Sequence, residues 1–69
     1  MSDHVYKVVE IVGSSKVSSD DAIRTAIATS AKTIRHISWF EVIGNTGHVV
    51  DGQVAHFQVK LKIGFRIEE

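Results

Sequence analysis

Two side chains stand out among those able to do chemistry: Trp39, the only tryptophan, and Gln58. An indole stacks on flat rings, and a carboxamide offers both a donor and an acceptor to such a ring's edge. Together they suit a planar heteroaromatic ligand. A lone tryptophan is more commonly part of a core or a subunit interface, and a glutamine on a polar face is more commonly solvated. Both readings stand on these residues alone. Covalent chemistry has little to build on, because there is no cysteine and no serine that spacing places with a histidine and an acid. His4, His36, His48 and His56 lack the close spacing of a metal pair on one element, so they read as isolated surface or interface groups, with no metal site expected.

These residues must be positioned by a short chain. The run Val5–Val12 is β-branched and aromatic and ends at the turn cluster Gly13-Ser14-Ser15, which predicts a first strand. Ser18-Ser19-Asp20-Asp21 supplies an N-cap and early negative charge for a helix. Ala22, Ile23, Ala26, Ile27, Ala31 and Ile34 continue it at helical spacing, and the small residues let it lie close to a sheet. From Ile34 to about Ile43 the pattern turns to a second strand. A bulge or wide bend is expected at Gly44-Asn45-Thr46-Gly47 and a hairpin turn at Asp51-Gly52. Phe57, Val59, Leu61, Ile63, Phe65 and Ile67 then alternate with polar residues or glycine in a third strand. The fold class is α+β: β-α-β-β, with a three-stranded antiparallel sheet curled around one helix, in a single domain over residues 1–69.

A glutamate rarely faces a dry core. Glu41 therefore assigns the faces of the second strand: Phe40 and Val42 toward the helix, Trp39 and Glu41 away from it, on the side that carries Gln58. A one-residue slip would reverse every side chain.

The remaining motifs are weaker. Gly44-Asn45-Thr46-Gly47 fits the GXXG pattern with which KH domains clamp RNA backbone, but it follows a strand-like run and reads better as a bend. Lys60, Lys62 and Arg66 alternate on one strand face, where basic residues are usually solvated or paired with acids. Eight basic and eight acidic residues leave no net field to gather nucleic acid or anionic lipid. No apolar stretch reaches the length of a membrane helix, and the start Met1-Ser2-Asp3-His4 does not look like a secretory leader. A cytoplasmic protein without membrane or nucleic-acid partners is expected. At 69 residues a chain buries only about 60% of its unfolded surface. With no cysteine to form a disulfide, self-association is the economical way to cover it.

Taken together, Val5–Gly13, Lys32-Thr33-Ile34-Arg35-His36, Trp39-Phe40-Glu41-Val42, His56-Phe57-Gln58-Val59 and Gly64-Phe65-Arg66-Ile67-Glu68 resemble the dodecins over nearly the full length, the bacterial branch more than the archaeal. The resemblance implies a hollow homododecamer that stores or sequesters flavin. In it, paired flavins near twofold axes are sandwiched by the residue matching Trp39, and the residue matching Gln58 hydrogen-bonds the isoalloxazine edge. It implies FMN, or riboflavin, as the cofactor, and coenzyme A as a further ligand. Gly47 sits beside the site in this pattern, while Arg66 and Lys32 fall at basic positions able to meet phosphate. A ring covered on one face by indole and on the other by a second flavin leaves no room for an electron partner, so no enzyme activity is expected. An oligomeric shell that holds coenzyme A or another small ligand instead of flavin is the alternative. Two positions depart from the bacterial pattern: Ser38 stands where aspartate is common before the tryptophan, and Thr46 where arginine is common before the glycine. Losing that arginine removes a bidentate phosphate partner. Position two is Ser2 rather than the proline that tautomerases of this size use, which disfavours an oligomeric enzyme of that class.

Overall fold

The alternating run near the C-terminus becomes the middle of the sheet. The computed structural model describes residues 3–68; Ser2, on which the contrast with tautomerases rests, lies outside them. The elements are β1 (Tyr6–Ser15), α1 (Ser19–Ser30), β2 (Ile37–Val50) and β3 (Gln53–Arg66). All pairing is antiparallel in the order β1-β3-β2, so β3 is inserted between the two strands that α1 connects. The β-α-β-β architecture is the expected one.

The core lies between α1 and one face of β3. Val59, Leu61 and Ile63 are fully buried there beneath Ala22 and Ala26. Val9 and Ile11 of β1 stand opposite Ile63 and Leu61 and extend this layer, together with Ile23, Ile27, Ile34 and Ile37. The helix starts as expected: Ser18 caps it, its Oγ accepting from the Asp21 N–H at 3.0 Å, with Asp20 and Asp21 in the first turn where the helix dipole favours negative charge.

Three boundaries differ from the sequence reading. The cluster Gly13-Ser14-Ser15 is not the turn but the end of β1, paired with Val59, Gln58 and Phe57. Gly13 is there because the helix crosses it: a Cβ would collide with the Ala22 carbonyl and come within 2.9 Å of the Ala26 Cβ. The turn falls one step later and is tied by Ser15, whose Oγ donates to the Asp21 carboxylate at 2.6 Å and accepts from the Val17 and Ser18 N–H groups at 2.9 and 3.3 Å. Second, α1 ends at Ser30, and Ile34 packs on the core from the connection rather than from β2. Third, β2 does not end near Ile43: the bulge expected at the glycines is there, between Val42 and Gly44, and the strand continues through it. It runs on to Val50 and absorbs the irregularity in register shifts at Ile37/Trp39, Val42/Gly44 and His48/Val49. The hairpin turn is where Asp51-Gly52 predicted it, with φ of 52° and 75°, the left-handed pair that a two-residue hairpin needs.

The result is long and thin, 56 × 20 × 13 Å. The helix covers β1 and β3 but scarcely reaches β2, so Phe40 and Val42 remain about half exposed, as do Val49, Val50 and Val54 at the hairpin end. No helix among the described residues is long and apolar enough to cross a membrane.

Gly13→Ala should cost about 1–3 kcal/mol, because the added methyl has nowhere to go unless the helix lifts. Urea unfolding followed by circular dichroism measures this; a midpoint equal to that of the parent would show that the helix does not rest on β1.

Candidate functional site

Backbone irregularity, not simple alternation, sets the face on which Trp39 lies. Ile37 pairs with Phe65 and packs toward the core, yet Trp39 pairs with Gly64 on the other face, because Ser38 is the extra residue of a bulge between them. Strict two-residue alternation from Glu41 would put Ile37 on the face of Trp39; the bulge turns Ile37 toward the core instead, while Trp39 and Glu41 share the face away from the helix. Phe40 and Val42, opposite Ile63 and Leu61, lie on the helix side, as Glu41 indicated. Beyond the second bulge, Gly44, Thr46 and His48 take over the outer face, opposite Lys60, Gln58 and His56.

The indole rests on Gly64. A Cβ built there would collide with Cε2 and Cζ2 of the ring and crowd Nε1, so the ring lies over the space that a side chain at 64 would need. The three atoms surround that point from one side, which sets the face of the indole against the β3 backbone. The opposite face is turned outward, and the residue is 42% exposed. Sequence reasoning treated Gly64 only as one of the non-apolar positions of β3; a glycine interrupting an alternating strand was the available signal.

The other predicted site residues are placed unevenly. Arg66 is two residues along β3 from Gly64, on the same face and about 7 Å away by strand rise. It is half-buried, and its backbone N–H donates to the His36 carbonyl at 3.1 Å. Gln58 is on this face too and exposed, but six residues from Gly64, about 20 Å along the strand. Trp39 and Gln58 of one chain are therefore not neighbours, and no single ring spans them. Lys32 is exposed in the turn after α1 and belongs to neither strand of the site. Gly47 pairs with Phe57 on the opposite parity from Gln58, and a Cβ there would lie 2.8 Å from the His56 carbonyl oxygen. Lys62, between Arg66 and Gln58, stands opposite Glu10 on one side and Glu41 on the other.

Ser38 and Thr46 both turn their hydroxyls to the backbone. Ser38 Oγ donates to the His36 carbonyl at 3.1 Å, and Thr46 Oγ1 to the Gln58 carbonyl at 3.3 Å. His36 adopts φ of 64°, an uncommon conformation for a residue with a side chain, and lies 3.6 Å from the Glu68 carboxylate beside Arg35. This ties the end of the chain to the start of β2. Among the described residues, no group of three or more His, Cys, Asp or Glu side chains converges on a point.

The family profile described as Dodecin matches residues 5–68. The Dodecin of Thermus thermophilus is 46% identical over 65 residues, 94% of each chain. A dodecin structure from Streptomyces coelicolor superposes with a TM-score of 0.94 at 51% identity, covering 100% of this chain and 99% of that one. The dodecin from Streptomyces davaonensis gives 0.94 at 46%, covering 99% and 100%. With sequence and fold in agreement over nearly its whole length, the chain belongs to the dodecin family, alongside these bacterial members.

Proposed function

We propose that this chain is a flavin-binding storage protein that works as a homododecamer, holding FMN or riboflavin against Trp39 without catalysing a reaction on it. The observation that carries this reading is the indole laid on Gly64 with its outer face bare. A planar aromatic surface backed by sheet and open to solvent is a stacking platform, and an isoalloxazine ring is the flat, edge-polar partner that family membership supports.

The distance between Trp39 and Gln58 supports assembly as part of the function. A ring stacked on one indole takes its amide hydrogen bonds from Gln58 of another copy, since Gln58 lies about 20 Å along β3 from Gly64, the seat of the indole in the same chain. The uncovered apolar surface supports the same reading. A groove of about 570 Å³ between α1 and β2 is lined by Ile23, Ile27 and Phe40, and closes when another subunit fills it. Arg66, one step from the indole seat, is a cation available to a phosphate tail, and Lys62 at the same spacing stands between Glu10 and Glu41; Thr46 offers only a neutral hydroxyl already given to the backbone. The phosphate therefore contributes less here than where arginine occupies that position, and riboflavin and FMN should bind with similar affinity. Sequestration follows from stacking: a ring enclosed by indole and by a neighbouring ring admits no electron partner.

Mixing flavin-free protein with FMN should quench flavin fluorescence to saturation. Full emission at excess protein overturns the reading and leaves a shell for coenzyme A or another ligand. Trp39→Ala should abolish the quenching while native mass spectrometry still finds the oligomer. Gly64→Ala, which lifts the indole from its seat, should weaken FMN by about tenfold or more, the equivalent of 1.4 kcal/mol. Unchanged affinity in Gly64→Ala would mean that the ring does not use the indole in this pose.

A further inference from the structure

Spacing along the chain kept the four histidines apart, but the hairpin between β2 and β3 brings two of them together. His48 and His56 are direct cross-strand partners. Their ring centroids are 6.5 Å apart, with the planes at 77°. Both lie on the outer face, one rung from the Thr46–Gln58 pair. Because β1 ends opposite Phe57, no third strand flanks this rung. His48 is exposed and His56 half-buried, and among the described residues neither imidazole is engaged in a hydrogen bond or an ion pair.

We infer that His48 and His56 form a cross-strand chelate for a divalent cation of the zinc class. Zn–N bonds of about 2.1 Å put each ring centroid about 3.2 Å from the ion, and a tetrahedral angle then separates the centroids by about 5 Å. Cβ atoms of directly opposed residues are about 4.5–5.5 Å apart. Side-chain rotation alone therefore closes the rings from 6.5 Å onto one ion, with no movement of the strands. Two imidazoles fill two positions and water fills the others. Imidazole nitrogen suits zinc, copper and nickel, whereas calcium and magnesium seek oxygen ligands that this rung does not offer. The ion bridges β2 and β3 near the Asp51-Gly52 turn. It needs only one chain's hairpin, so the inference stands apart from the flavin reading.

The test is a titration of the purified flavin-free protein with Zn²⁺ in competition with a chromophoric chelator. Micromolar binding is expected, with none for Mg²⁺ or Ca²⁺. His48→Gln and His56→Gln should each lower the zinc affinity at least about tenfold, since each leaves a single imidazole, whereas His36→Gln should bind as the parent does. Nitrogen-detected imidazole NMR should show only the resonances of His48 and His56 shifting with zinc. Circular dichroism of both variants checks that the sheet is intact. Parent protein without zinc affinity, or both single variants binding as tightly as the parent, overturns the inference.

Discussion

Contact between the small side of α1 and the buried row Val59, Leu61 and Ile63 decides what the rest of the chain is free to do. Ala22 and Ala26 allow the helix to sit low, and Gly13 removes the last obstacle beneath it. A helix seated there covers β1 and β3 and cannot also cover β2. That single packing choice buries one face of the central strand and leaves three surfaces bare: the apolar helix side of β2, the apolar hairpin end, and the largely polar sheet face that bears Trp39. The proposed association would complete this core, and the proposed ligand platform is one of the surfaces left over.

Two glycines act as seats, in opposite directions. Gly13 admits a helix on one face and Gly64 admits an indole on the other. In both cases the missing side chain is replaced by a neighbouring group that must lie against backbone. The first contact holds the fold together. The second seats an indole outside the buried core and leaves its outer face open, which is the feature on which the proposed ligand site rests.

Much of this was legible in the sequence, and the failures have physical causes. The alternation from Phe57 to Ile67 identified the buried row because a strand with one wet face has a strict two-residue period. Asp51-Gly52 gave the hairpin because few dipeptides accept two left-handed residues. Glu41 gave the faces around Trp39 because a buried unpaired carboxylate is costly. Parity then misled at Ile37, since a bulge adds a residue without altering residue types. Gly13-Ser14-Ser15 looked like a turn because glycine serves both turns and close packing, and local sequence does not separate the two. The distance from Trp39 to Gln58, and the meeting of His48 with His56, depend on pairing register, which is a long-range property.

The register shifts in β2 have a consequence for how copies of this chain meet. β2 is an outer strand of 14 residues, and an outer strand of that length ordinarily invites open-ended templating, one chain adding to the next by backbone pairing. Breaks at three places leave no long stretch of evenly spaced donors and acceptors along its free side. Growth by ladder extension is therefore frustrated, and the assembly proposed above would rest on side-chain burial instead. Contacts of that kind saturate once the bare surfaces are matched, which favours particles of finite size over fibrils.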